Sequence, residues 1–249
     1  MEKTAFITGS SRGIGREIAI KLAQENYQVV ITGRDKSDVE KTCAEIKALN
    51  GVALPFVGDL TTEDGIKAAV QFVSANCKSL NVLVTNIGSG RSPHELVVDI
   101  LEWKRVFDIN FFSTVAAINS FLPMLALSKG QIVCISSVAG MEKMDIPITY
   151  SVAKAAVLSF VQQSMRPLAE KGIRINAVSP GSVWIENGSW DRKMKADPTK
   201  VSAMIQNQFA LKKFVGAEEI ADAVWLTIKS PSMTGQNVVI DAGQLRQRI

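Results

Sequence analysis

Short runs of consecutive apolar, mostly β-branched residues alternate with stretches of helical periodicity from one end of this chain to the other. The apolar runs fall at 4–8, 28–32, 52–57, 82–85, 131–136, 174–179 and 237–240. Apolarity on successive positions, rather than on every second one, suits strands covered on both faces, as in a parallel sheet. Helical stretches are expected between them at about 13–26, 37–49, 63–76, 99–127, 149–171 and 217–229. In the first of these Ile14, Ile18, Leu22 and Ala23 recur at helical spacing. Pro123 and Pro167 are expected to kink or end their helices. Strict alternation of the two kinds of segment implies a right-handed, doubly wound α/β sheet with helices on both faces.

The 249 residues contain no internal repeat, linker or low-complexity stretch, so a single domain over 1–249 is expected. With 47% hydrophobic residues, such a domain can fill a large core. The long irregular segment 180–215 is expected to be a lid over a substrate, spanning about 182–215 and holding one short helix.

Composition removes several chemistries. There is one histidine, His94, so a His-rich metal site is excluded. The 28 basic residues are scattered, which argues against a nucleic-acid-binding arm. Cys43, Cys77 and Cys134 form no CxxC pair and read as reduced thiols of a cytoplasmic protein. The N-terminus leads straight into a strand rather than a signal-length apolar core, and no apolar run reaches bilayer length, so no membrane association is expected.

The turn after the first strand reads Thr8-Gly9-Ser10-Ser11-Arg12-Gly13-Ile14-Gly15. Its glycines allow a sharp turn and close approach to a pyrophosphate, and the following helix presents free N–H groups. The spacing is G-x3-G-x-G rather than GxGxxG. The same residues match the G-x-S-x-G nucleophile elbow, but a hydrolase would then have to use His94, which lies in a polar loop with no matching acid.

Further along come Asp59-Leu60, Asn86-x-Gly88, Asn110, Ser137, Tyr150-x3-Lys154 and Pro180-Gly181. With the glycine turn, these residues in this order resemble the short-chain dehydrogenase/reductase family in its roughly 250-residue branch. The likeness covers essentially the whole chain and is similar to 3-oxoacyl-(acyl carrier protein) reductases. It implies a Rossmann-type fold with a seven-stranded parallel sheet, and oxidoreductase activity that interconverts a carbonyl and a secondary alcohol. It further implies catalysis by Ser137, Tyr150 and Lys154 assisted by Asn110, which in the family holds a proton-relaying water.

The residue types support this chemistry. Tyr150 and Lys154, four apart on one helix, share a face. A nearby ammonium is expected to lower the tyrosine pKa from about 10, toward the range where general acid–base catalysis works best. Ser137 could hydrogen-bond the substrate oxygen; Ser136 is the neighbouring alternative, and family spacing selects Ser137.

The resemblance assigns the nucleotide to Gly9, Ser11, Arg12, Gly13, Ile14, Gly15, Arg34, Asp59, Leu60, Asn86, Gly88, Tyr150, Lys154, Pro180 and Gly181. Arg34 at the end of the second strand, with Arg12, favours NADP(H), because guanidinium groups pair well with a 2′-phosphate. Asp35 keeps NAD(H) as the alternative. Two departures from the family stand out. Ile87 replaces a common alanine, and Ile185 a threonine that touches the nicotinamide amide.

Substrate identity is poorly encoded. Trp184, Trp190, Met141, Met144 and Ile146 suit an apolar pocket. Glu186, Asn187, Arg91 and Asp191 suit a sugar or polyol. Lys129 and Lys171 match basic residues that face an acyl carrier protein in similar reductases. A nucleotide sensor without catalysis is the alternative from another class, and the family implies a homotetramer.

Overall fold

The computed structural model describes residues 3–245. Residues 1–2 and 246–249 lie outside the described residues. Among those described, one seven-stranded parallel sheet forms the centre. Its strands are β1 (Lys3–Ile7), β2 (Tyr27–Gly33), β3 (Ala53–Val57), β4 (Val82–Thr85), β5 (Gln131–Ile135), β6 (Arg174–Pro180) and β9 (Asn237–Ile240). Their spatial order is β3-β2-β1-β4-β5-β6-β9. The order reverses direction between β1 and β4, and that switch point is where doubly wound sheets bind ligands.

Side chains alternate across the sheet with a period of two. Ala5 and Ile7 of β1 and Val29 and Ile31 of β2 face one core, with α1 (Gly13–Gln24), α2 (Lys36–Ala48) and α9 (Ala217–Lys229). Phe6 and Val30 face the other, with α3 (Glu63–Asn76), α5 (Ser113–Ser128) and α6 (Ile148–Ala169). Each core buries side chains completely, among them Ile18 and Ile220 on one side and Phe6 and Phe121 on the other. Two opposed cores explain why the strands read as continuous apolar runs. The strands and helices thus match the expected fold class, with edges shifted by a residue or so.

The expected helix at 99–127 is more elaborate. It comprises α4 (Ile100–Phe107), a π-helical turn (Asp108–Phe112) and α5, joined without a break. Asp99 caps α4 by accepting from the Leu101 N–H at 2.7 Å. Pro123 does not end α5, which continues to Ser128. Pro167 sits in the last turn of α6, two residues before its end. The segment 100–128 is long and apolar enough to cross a membrane by length and composition. That corrects the expectation from uninterrupted apolar runs, which the interspersed polar residues had broken up. One face of this segment is core: Ala117, Ile118, Phe121 and Leu125 are buried against the sheet.

The segment after Pro180 differs most from expectation. It carries two helices, α7 (Ser189–Ala196) and α8 (Pro198–Gln208), and two short strands, β7 (Val183–Trp184) and β8 (Val215–Gly216), which pair in parallel. The second helix had a legible start. Asp197 accepts from the Lys200 N–H at 2.9 Å, and Pro198 occupies the first helical position. Both ends of the segment rest on the chain after β9. The Ser182 N–H donates to Gln244 Oε1 at 2.9 Å. The Ala210 and Leu211 N–H groups donate to the carbonyls of Gly243 and Ala242.

Candidate active site

The glycine turn crosses the C-terminal ends of β1 and β2. Gly9 and Gly13 have φ of 66° and 58°, the left-handed region that glycine adopts without strain. The N–H groups of Ser10 and Ser11 donate to the Thr32 carbonyl at 2.9 and 3.1 Å. A Cβ on Gly15 would collide with the Gly9 carbonyl and come within 2.6 Å of Asn86 Nδ2. Arg12 occupies the N-cap of α1 without a side-chain capping bond. The first turn of α1 therefore offers its N–H groups and positive dipole end to an anion, and the close-packed glycines leave room for one to approach. These residues fit a dinucleotide pyrophosphate.

A hydrolytic elbow does not form here. The motif's central serine, Ser11, turns its hydroxyl toward Gly33 at the end of β2, and Ser10 is buried and donates to the Ile7 carbonyl. The His94 imidazole faces Asp145 at 3.7 Å and is largely exposed.

At the end of β2, Ser11 Oγ lies 2.6 Å from the place a Cβ on Gly33 would take. Arg34 is 75% exposed, and its guanidinium sits 3.6 Å from Asp59. Asp59 also accepts from the N–H and hydroxyl of Thr61 at 3.0 and 2.7 Å. Partial burial pushes its carboxyl up, but the Thr61 bonds and Arg34 outweigh this and hold it below the usual range. The Leu60 side chain is 2% exposed and packs in the α3 core.

Asn86, just beyond β4, ties that strand to the glycine turn. Its Nδ2 donates to the carbonyls of Thr8 and Gly9 at 3.1 and 3.0 Å. Ile87 turns its bulk toward Gly9, 3.2 Å from where a Cβ would stand, and packs on the α3–α5 core. Ile185 reaches back over the same turn, with Cδ1 3.2 Å from a Cβ position on Gly13. The isoleucine that replaces threonine thus makes an apolar contact across the mouth of the phosphate site.

The remaining candidates gather where β5 ends and α6 begins. The two serines separate cleanly. Ser136 donates its hydroxyl to the Lys154 carbonyl at 2.9 Å and is a buried brace for α6. Ser137 accepts from the Ala139 N–H at 3.2 Å, at the cap of a single 3-10 turn (Val138–Gly140), and its hydroxyl lies on the Tyr150 side, where it favours the phenolate. Lys154 is 3% exposed. Its Nζ donates to the Ile135 carbonyl at 2.9 Å and lies 5.9 Å from the centre of the Tyr150 ring. A Cβ on Gly88 would fall 3.0 Å from Asn110 Oδ1 and 3.1 Å from Lys154 Nζ, so a larger residue there would press on both side chains.

Asn110 is fully buried in the π-turn, an irregularity found often at functional sites. Its Oδ1 accepts from the Ser89 N–H at 2.8 Å, and its Nδ2 donates to the carbonyls of Ser89 and Val106 at 3.1 and 2.9 Å. The amide is thus engaged by main-chain groups and pins the loop after β4 beside Lys154.

The electrostatics differ from the sequence expectation. Burial pushes the Tyr150 phenol up, and the Ser137 hydrogen bond opposes that rise. The dominant influence is desolvation, not the ammonium. The same burial drives Lys154 down from 10.5 to about 8, with a small opposing effect of Cys134. Two groups with ordinary values of 10.0 and 10.5 are thereby driven apart, the phenol upward and the lysine down to about 8.

These side chains open onto a cavity of about 290 Å³. Asn86, Gly88, Ser137, Tyr150, Lys154, Pro180 and Gly181 line it, as does Ile14. Gly9, Ser11, Arg12, Gly13, Gly15, Arg34 and Asp59 lie outside it, toward the ends of β1, β2 and β3. Of the apolar pocket candidates only Trp190 lines the cavity; Trp184, Met141, Met144 and Ile146 do not. Nor do Glu186, Asn187, Arg91 or Asp191. Asp191 instead accepts from the Asn187 N–H and pairs with Lys195, both at 2.8 Å, and so is engaged within its own segment. Ser89, Gly90, Val183 and Ser189 line the cavity without having been singled out. The signal for Ser89 and Gly90 was adjacency to Gly88; nothing in sequence marks Ser189.

The sequence model of the short chain dehydrogenase family matches residues 3–194. An (S)-acetoin-forming diacetyl reductase of Staphylococcus epidermidis is 31% identical, covering 98% of each chain. A 3-oxoacyl-(acyl-carrier-protein) reductase of Staphylococcus aureus is 32% identical, again over 98% of each. The fold superposes on a reductase, YwfH, described as NADPH dependent and involved in bacilysin biosynthesis, with a TM-score of 0.92 over all of both chains at 23% identity. Family match, relatives and architecture agree: this chain belongs to the short-chain dehydrogenase/reductase family, oxidoreductases acting on CH–OH and C=O groups.

Proposed function

We propose that this protein interconverts a small-molecule carbonyl and the corresponding secondary alcohol using NADP(H), with Tyr150 as the proton donor and acceptor. One observation carries the reading. Tyr150, Ser137 and the buried Lys154 line the same cavity as Asn86, Gly88 and Pro180-Gly181. Ser137 holds the substrate oxygen beside the phenol. Tyr150 delivers a proton to that oxygen in reduction and removes it in oxidation. Lys154, with a pKa of about 8, stays predominantly protonated at neutral pH and favours the phenolate that forms. Asn110 acts through Ser89 by fixing the loop that keeps Gly88 against the ammonium.

The nicotinamide nucleotide supplies or takes up the hydride. The glycine turn with Ile14 would hold its pyrophosphate, Asn86 and Lys154 would steady its ribose end, and Pro180-Gly181 would bound the nicotinamide. NADP(H) is favoured because Gly33, with Ser11 beside it, stands where an acid would read a 2′-hydroxyl, while Arg34 follows it and Arg12 caps α1.

The segment 182–215 serves as the substrate lid. Among substrates, 3-oxoacyl thioesters are supported by the Staphylococcus aureus relative. Lys129 and Lys171 do lie together, with Lys129 Cγ 3.3 Å from a Cβ position on the adjacent Gly172. They precede β5 and β6, however, at the opposite end of the sheet from Ser137. A carrier protein docked there would face away from its own subunit's cavity. Sugar or polyol oxidation is the other substrate class that suits the site.

A homotetramer is proposed from exposed apolar side chains along and before α4 and α5. Leu96, Val97, Ile100, Leu101 and Leu127 are each more than 60% exposed.

The test replaces Tyr150 by phenylalanine. Turnover, followed by NADPH absorbance over thioesters, keto sugars and simple ketones, should fall at least about 100-fold. NADPH binding by fluorescence titration should persist. Wild-type-like turnover of any responsive substrate by Tyr150→Phe would overturn the assignment.

A further inference from the structure

We propose that Trp190 is the specificity-determining residue of this site, a fixed wall that limits the substrate to a short carbonyl compound bearing a second oxygen. The inference rests on the carbonyl-reductase reading above and concerns the lid side of the same cavity.

Four lid residues line that cavity: Val183, Ile185, Ser189 and Trp190. Ile185 is turned toward Gly13 and so belongs to the nucleotide end. Val183 is 9% exposed, and its strand pairs with β8. Ser189 and Trp190, in the first turn of α7, are left to border the substrate.

The indole is held in place. The Phe214 ring centre lies 5.4 Å from Trp190 and 5.4 Å from Trp184. Phe214 in turn meets the buried Phe209 edge-on at 6.0 Å. This aromatic chain roots Trp190 in the core around α1, α2 and α9. The Lys193 ammonium sits 4.4 Å from the indole centre, a cation–π contact. The turn of α7 that carries the indole is fixed too, because Asp191 is 6% exposed and bonds both Asn187 and Lys195.

A wall of this kind discriminates by size, because reshaping it means breaking several ring contacts at once. The nicotinamide end of the nucleotide would share this cavity of about 290 Å³, so the substrate is confined to the side that Trp190 and Ser189 border. The rest of that border is polar. Ser89 and Ser189 line it alongside Gly90, so a hydroxyl or second carbonyl next to the reacting group finds hydrogen-bond partners there.

The test compares wild type, Trp190→Ala and Trp190→Phe on butane-2,3-dione, pentan-2-one, decan-2-one and a long-chain 3-oxoacyl thioester. Wild type should have its highest kcat/KM on butane-2,3-dione. Trp190→Ala should shift the ratio of decan-2-one to butane-2,3-dione upward at least about 10-fold, the scale on which a pocket reads methylene groups. Trp190→Phe, a milder truncation, should shift it the same way by less. Wild-type preference for decan-2-one or the long thioester overturns the inference without any variant. An unchanged size profile in Trp190→Phe overturns it as well, even if Trp190→Ala does not fold. In either case a Tyr150→Phe enzyme that has lost turnover leaves the catalytic reading standing, so the two failures are distinguishable.

Discussion

Replacing Lys154 by methionine should stabilise the protein while abolishing turnover. Burial lowers the lysine from 10.5 to about 8, so the folded state resists the charge that the unfolded state carries freely. At about 1.4 kcal/mol per tenfold change, holding the ammonium at pH 7 costs the fold on the order of 3 kcal/mol. The window follows from proton counting. Between pH 8 and 10.5 the unfolded chain binds the proton and the folded chain sheds it, so wild-type stability rises with pH there. Below pH 8 the penalty is complete. Methionine has similar length and no charge, but it removes the Nζ donor from the Ile135 carbonyl, which offsets about 1 kcal/mol. The net gain at pH 7 is about 2 kcal/mol, or roughly 4–8 °C in Tm for a chain of this size. Denaturant unfolding of both proteins at equal concentration, at pH 7 and again at pH 10, measures it. The advantage should be present at pH 7 and close to gone at pH 10. An equal difference at both pH values, or none at pH 7, would refute the claim that buried charge controls this site.

Arg34→Ala should raise the Kd for NADPH about 10–100-fold, the loss expected for a charge-assisted contact, and change that for NADH by less than about 3-fold. Fluorescence titration with each nucleotide decides, and equal losses would remove the phosphate assignment. Static light scattering should give about four times the 27.0 kDa chain mass; a monomer mass would leave the exposed face of α4 and α5 without its proposed cover.

The parts legible in the sequence are those fixed by local pattern. Val29, Val30 and Ile31 are apolar in succession because both faces of β2 are covered, and no distant information is needed to see that. Tyr150 and Lys154 share a face because both lie on α6 one turn apart. What stayed hidden depends on contacts between distant segments. Asn110 looks like a polar residue in an apolar helix until Ser89, 21 residues away, takes up its amide. Family spacing selects Ser137 over Ser136, but only the packing of α6 shows that the Ser136 hydroxyl is spent on the Lys154 carbonyl. Ammonium and phenol spacing suggested a lowered tyrosine pKa, whereas the outcome turns on how much water the surrounding chain excludes. Of the four polar or charged candidates for the substrate pocket, Asp191 could be discounted only from hydrogen bonds within its own segment, where Asn187 and Lys195 engage it.

Both feet of the lid stand on the chain that follows β9: Ser182 through Gln244, and Ala210 with Leu211 through Gly243 and Ala242. The span between those feet is mechanically a bracket bolted to one beam. Its exposed positions can be exchanged to suit a new compound, while Ile185 against Gly13 and the buried Phe209 hold the span to the nucleotide turn and the core. Conversely, damage at the beam, far along the chain from any reacting atom, would tilt the whole bracket at once.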